Sequence, residues 1–225
     1  MKFEDLLASA AKQPCFETGL LLAGAVDPAD VRRQLSRWAQ AGRVIQFRRG
    51  LHTLAAPASR LLPTPSLIAN SLRPGSYVSL PSALAYYGLI PEYVVQTLSV
   101  STGCPSRWRN ALGDFRFQHL APHLFFGYQQ VSFLPGQEVF IALPEKALLD
   151  LVHLTPDGDD PLYLAGLRVQ NLGCLDPQRL QTLAGRAGKP KWLRLAARLS
   201  ALIEEEESTY TTILIYNDPP PEVPP

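Results

Sequence analysis

Asp27-Pro-Ala-Asp-Val-Arg-Arg-Gln-Leu-Ser-Arg-Trp-Ala-Gln-Ala-Gly-Arg-Val-Ile-Gln-Phe-Arg-Arg-Gly-Leu-His-Thr-Leu54 contains a capped amphipathic helix followed by a hairpin. Asp27 is a strong N-cap. Pro28 suits the first helical position, where no backbone N–H is needed, and Asp30 lies at the positive end of the helix dipole. At 100° per residue, Val31, Leu35 and Trp38 fall on one face, and Arg32, Ser36, Gln40, Arg33 and Arg37 occupy the opposite arc. The spacing predicts a helix to about Ala41, stopped by Gly42. Arg43 to Phe47 and Leu51 to Ala55, joined by Arg48-Arg49-Gly50, then read as a β-hairpin with glycine in its turn.

Working outward from that stretch, Phe3, Leu6, Leu7 and Ala10 recur at helical spacing, and Pro14 closes this first helix. A second short helix is predicted from Glu17 to Ala23, ended by Gly24. Helix, helix, turn, helix, hairpin is the order of a winged helix-turn-helix. Pro57 to Pro65, rich in proline and small residues, reads as a linker. The expected organisation is therefore an α+β chain: a winged helix-turn-helix over residues 1–58, a mixed α/β carboxyl-terminal domain over 59–206, and a tail over 207–225. In the tail, Thr211 to Tyr216 has the composition of an edge strand and Pro219 to Pro225 that of a proline-rich disordered end.

Charge is divided unevenly. Residues 1–60 carry nine Lys and Arg against five Asp and Glu, a net +4, whereas the rest carry twelve against fifteen, a net −3. This asymmetry points the amino-terminal part toward a polyanion. Arginine pairs bidentately with guanine O6 and N7 or with phosphate, and an α-helix fits the major groove. The hairpin adds Arg43, Arg48, Arg49 and His52, with two arginines at a tip suited to a phosphate run or a minor groove. Six arginines and one aspartate lie between residues 30 and 52. The expected ligand is double-stranded DNA. It is contacted by Arg32, Arg33, Ser36, Arg37, Gln40, Arg43, Arg48, Arg49 and His52, with Arg33 and Arg37 in the major groove and Arg48 and Arg49 on phosphate.

Beyond the linker, Tyr77 to Leu80, Val94 to Val100, Phe115 to Leu120 and Val139 to Ala142 have strand composition. Pro81 to Tyr87, Pro144 to Leu154, Pro177 to Ala187 and Lys191 to about Glu206 read as helices. The run Ile141-Ala-Leu-Pro-Glu-Lys-Ala-Leu-Leu-Asp150 joins a strand to a helix: Pro144 suits the first position, Glu145 the positive end, and Lys146 with Asp150 an i, i+4 pair. Ala147, Leu148, Leu151 and Val152 supply a buried face. Glu145 and Lys146 are its two candidates for contact with a protein partner.

That run, Ser79-Leu-Pro-Ser-Ala-Leu-Ala-Tyr-Tyr-Gly-Leu89 and the Arg48-Arg49-Gly50-Leu51 turn together resemble the abortive-infection antitoxins of type IV toxin-antitoxin systems, the AbiEi-like family, over about residues 5–200. The resemblance implies a bacterial antitoxin whose winged helix represses its own operon at promoter repeats. It also implies that the carboxyl-terminal domain counters a nucleotidyltransferase-like toxin.

Enzymatic signatures are missing: there is no G-x-S-x-G, no Walker glycine loop and no H-E-x-x-H. His119 and His123 have a metal-ligand spacing only if helical, and Pro122 opposes that helix. Asp157, Asp159 and Asp160, with Gly158 and Pro161 among them, read as a solvated turn, and Glu204 to Glu207 as a fraying helix end. Cys15, Cys104 and Cys174 form no C-x-x-C pair and suggest neither a disulfide framework nor a zinc site. No leader segment opens the chain, and the apolar run Leu20 to Val26 is too short to span a bilayer. A cytoplasmic regulator without catalytic residues, cofactor or metal is expected.

Overall fold

A computed structural model describes residues 2–22, 26–59, 61–92 and 94–217, with side chains described through residue 205. Among them the chain is α+β, with eight α-helices and two sheets. It forms two compact units, one of Met1–Ala83 with Tyr93–Leu143 and the other of Leu84–Glu92 with Pro144–Pro225.

The first unit opens with α1 (Phe3–Ala10), β1 (Phe16–Glu17), a 3-10 turn (Thr18–Leu22), α2 (Pro28–Gln40) and the hairpin β2 (Val44–Arg48) and β3 (Leu51–Leu54). The three short strands make an antiparallel sheet in the order β1-β3-β2. Leu6, Ala10, Phe16, Leu21, Val31, Leu35, Trp38, Val44 and Leu54 form its shared core, and Phe3 meets Trp38 edge-on at 5.3 Å. The second helix expected from Glu17 to Ala23 is corrected: Phe16 and Glu17 pair with His52 and Leu51, and only a 3-10 turn follows. Burying Phe16 in the core draws this segment onto the sheet edge, and the few residues left before Gly24 are too short a run to sustain an α-helix. Gly24 lies outside the described residues.

The segment expected to be a linker is fastened down. Thr64 donates its backbone N–H to the Gln137 side-chain carbonyl (2.8 Å), and the Gln137 amide donates to the Leu62 carbonyl (2.9 Å). The expected boundary after residue 58 therefore lies inside the first unit. Next come α3 (Pro65–Leu72), β4 (Ser76–Val78), α4 (Leu80–Tyr86), β5 (Gln96–Ser101), β6 (Ser106–Asn110), β7 (Gly113–His119), β8 (Tyr128–Leu134) and β9 (Gln137–Ala142). The six strands from β4 to β9 make a mixed sheet in the order β6-β7-β5-β4-β9-β8, parallel at β5/β7 and β4/β9 and antiparallel elsewhere.

The second unit is helical: α5 (Pro144–Leu154), α6 (Pro161–Gly166), α7 (Pro177–Ala187) and α8 (Pro190–Asn217). Every residue of α5 from Pro144 to Val152 is buried, against α7 and α8. The edge strand expected at Thr211 to Tyr216 is corrected, because α8 runs through to Asn217. β-branched residues disfavour a helix only mildly, whereas extending an existing helix adds one hydrogen bond per residue without a new nucleus. Glu204 to Glu207 thus lie within α8 and not at its end, while Pro219 to Pro225 lie outside the described residues. No described helix is long and apolar enough to cross a membrane.

Candidate nucleic-acid interface

α2 begins where the Asp27 carboxylate accepts the Ala29 N–H at 2.9 Å and Pro28 occupies the first turn. It ends at Gln40, and two residues on Gly42 turns the chain away at a φ of +68° that suits a residue without a Cβ. Val31, Leu35 and Trp38 anchor it to the core, leaving Arg32, Arg33, Ser36, Arg37 and Gln40 exposed on the far side. Arg33 is held by Asp30 at 2.8 Å, an exposed pair that water screens strongly. Arg32 and Arg37 make no ion pair with any described residue. At the end of the helix Arg43 lies over the Phe3 ring, 5.2 Å from its centre, while remaining exposed.

The hairpin divides its basic residues. Its register slips between Gln46 and Arg48, so Phe47 turns into the core. Gly50, at φ +86°, makes the turn, and its carbonyl accepts the Thr18 N–H at 2.8 Å. Arg49 is exposed at the tip. Arg48 instead folds back, donating to the carbonyls of Arg49 (3.2 Å) and Ser71 (3.4 Å) and approaching the Glu17 carboxylate at 3.5 Å. Arg48, expected to clamp phosphate, is thus half-buried with its guanidinium engaged by its own unit. The register slip that buries Phe47 is accompanied by a guanidinium turned back against its own unit.

His52 is also placed differently from expectation. It is 4% exposed and stacked on Phe16 with ring centres 5.6 Å apart, so it has no outer surface to offer a duplex. Burial holds its pKa below the ordinary histidine value. Its Nδ1 has no hydrogen-bond partner among the described residues. The ring lines a cleft of about 490 Å³ between the 3-10 turn, α2 and the hairpin, together with Thr18, Arg32, Ser36, Gln46 and Arg49. Sequence reasoning missed Thr18 and Gln46. Neither had a local signal: strict alternation would put Gln46 on the side of the buried Val44, and only the turn's return to Gly50 brings Thr18 here.

Arg32, Ser36 and Arg49 are therefore brought together on the cleft, and Arg33, Arg37 and Gln40 continue the exposed arc of α2. Glu145 and Lys146 are corrected as partner contacts, since both are 0% exposed. Glu145 accepts the Asp176 N–H at 2.8 Å, and Lys146 is bonded to Asp150 and lies 5.0 Å from the centre of the Trp192 ring. The helix expected to bury one face is enclosed all round: Lys146 is paired with Asp150, and Glu145 Oε1 lies 3.6 Å from the Arg179 guanidinium, while Glu145 Oε2 meets no hydrogen-bond partner among the described residues.

The remaining titratable candidates have local roles. His119 Nδ1 lies 3.2 Å from the Gly103 carbonyl, and His123 sits in a 3-10 turn (Pro122–Leu124). Asp160 caps α6 through the Leu162 N–H at 2.7 Å, and Asp159 holds Arg194 at 2.8 Å, which keeps its carboxyl below the usual range. No group of three or more His, Cys, Asp or Glu among the described residues is placed to hold a metal ion. Neither a model of a known protein family nor any curated protein matches the chain.

Proposed function

We propose that the first unit carries a winged helix-turn-helix that binds double-stranded DNA, with α2 as the helix entering the major groove and the β2–β3 hairpin as the wing. One observation carries the reading: the arginines of α2 are presented to solvent on one arc, with Arg49 of the hairpin beside them. An arc of guanidinium groups spaced one helical turn apart suits a polyanion whose charges recur regularly. Arg33 and Arg37 contact base edges, Arg49 and Arg43 contact phosphate, and Ser36 and Gln40 add hydrogen bonds.

The wider role we propose is an autorepressing antitoxin at promoter repeats, paired with a nucleotidyltransferase-like toxin and acting without catalysis, cofactor or metal, in the cytoplasm. It rests on the resemblance of Ile141–Asp150 and the wing turn to the abortive-infection antitoxins. Because Glu145 and Lys146 are enclosed, the surface that counters a toxin is assigned elsewhere on the molecule.

Replacing Arg33 and Arg37 together with alanine is expected to abolish the gel shift of duplex from the chain's own promoter while the circular dichroism spectrum stays unchanged. An unaltered shift defeats the α2 assignment. Salt-independent binding defeats DNA recognition as a whole and favours a protein-interaction module. A toxin-like reading frame beside this gene, whose growth arrest co-expression of this chain relieves, is the expected result for the antitoxin role; absence of such a neighbour favours a solitary regulator.

A further inference from the structure

We propose that the cleft between α2, the Thr18–Leu22 turn and the hairpin is a seat for a single phosphodiester, gripped by Arg32 from the helix and Arg49 from the hairpin. Both arginines line it, and none of its lining residues is a carboxylate. Thr18, Ser36 and Gln46 supply neutral donors around the same space. His52, 4% exposed, stands on the wall of the same cleft and so reports on its occupancy.

Volume selects the ligand. At about 490 Å³ the cleft exceeds what a bare anion fills and falls within the range of pockets that hold small organic molecules, roughly 300–1,000 Å³. A phosphodiester with its flanking sugars fits that room, with charge at the arginines and the sugars along Leu22 and Leu35. On the DNA reading, from which this inference starts, the diester belongs to the duplex backbone. The cleft then fixes the angle between helix and wing by holding one phosphate with a residue from each.

The test uses the full chain with ¹⁵N-labelled histidine and follows the His52 ring on titration with a thymidine dinucleotide carrying one phosphodiester, with inorganic phosphate in parallel. A saturable shift at His52 is expected, weakened on the order of tenfold or more by Arg32→Gln or Arg49→Gln and unchanged by Arg37→Gln, which lies outside the cleft. For duplex DNA, the same two cleft variants are expected to lower the slope of log affinity against log salt by about one unit each. If inorganic phosphate moves the ring as much as the dinucleotide does, the phosphodiester assignment is overturned in favour of a free anion. If neither probe moves it while duplex binds with an unaltered slope in both variants, the seat is overturned and the DNA reading stands. If the dinucleotide binds through both arginines but no duplex binds at all, the seat stands and the DNA reading falls.

Discussion

α2 carries four charged side chains and α5 three, each in a short span, and the two helices give them opposite surroundings. Arg32, Arg33 and Arg37 stand in solvent, whereas Glu145, Lys146 and Asp150 are each 0% exposed. In sequence the two helices look alike, with an apolar stripe, a charged remainder, proline at the first position and an acid near the start. The difference comes from their neighbours. α2 rests one face on the amino-terminal core, while α5 is packed against both α7 and α8. Enclosed charges must satisfy one another, because desolvating an unpaired ion costs several kcal/mol. Exposed like charges repel weakly in water and remain available to an external anion. Ionic groups of similar sequence pattern thus serve internal cohesion in one helix and recognition in the other.

The contrast breaks most sharply at Lys146. Replacing it with methionine leaves Asp150 buried without its cation and is expected to destabilise the second unit by about 3–5 kcal/mol. Urea melts and hydrogen exchange of the α5 amides measure the loss. The double variant Lys146→Met with Asp150→Leu removes both charges and should recover most of the stability. A single variant that melts like the parent would mean that α5 opens to water and its charges are not enclosed. The corresponding change in α2, Leu35→Ala, acts through lost packing and should cost about 2–5 kcal/mol in the first unit.

The legibility of the fold follows the same division. Asp27-Pro28, the Val31/Leu35/Trp38 stripe and the glycine-bearing hairpin were readable because cap, period and turn signals are local, and each has its counterpart in a hydrogen bond or a buried face. α3 begins with Thr64-Pro65, the same cap-then-proline signal, yet its prolines and small residues also fit a linker; Thr64 Oγ1 accepting the Leu67 N–H at 3.3 Å marks the helix start. Strands β6 and β8 lie at the sheet edges with many polar residues, so alternation alone did not separate them from loops. Within the candidate site, the exposed arc of α2 was legible from helical geometry. The inward fates of Arg48 and His52 were not, because they depend on a register slip in β2 and on Phe16 pairing from a distant segment.

Smaller effects sharpen the account of α2 itself. Removing its cap with Asp27→Ala takes the acceptor from the Ala29 N–H and should cost about 1 kcal/mol, read as a lower melting temperature of the first unit. Protonation gives a graded effect. Burial lowers the pKa of His52 in the folded chain below its ordinary value of 6.5, so below that pH the unfolded chain binds the proton more readily. The stability that His52 contributes is complete above pH 6.5 and is lost as pH falls from there through the folded pKa. His153 is shifted the same way, chiefly by burial, and adds to the slope. Urea melts at pH 7.5 and 5.5 should show the decline, and His52→Phe, which keeps a ring against Phe16, should reduce it. An identical slope in that variant would place the titration elsewhere.

The smallest expected effect on stability separates the two helices most directly. Arg37→Gln removes a charge that is exposed and makes no ion pair with a described residue, so its melt should lie within about 0.5 kcal/mol of the parent. Its duplex affinity should nevertheless fall, and the salt slope with it if Arg37 meets phosphate and not a base edge. Lys146→Met should show the reverse, a large loss of stability with duplex affinity intact wherever the first unit remains folded. A helix whose charges serve recognition loses binding without stability; one whose charges serve cohesion loses stability first. Finding both losses in Arg37→Gln would mean that its guanidinium braces the fold, and the arc on α2 would then have to be read like α5.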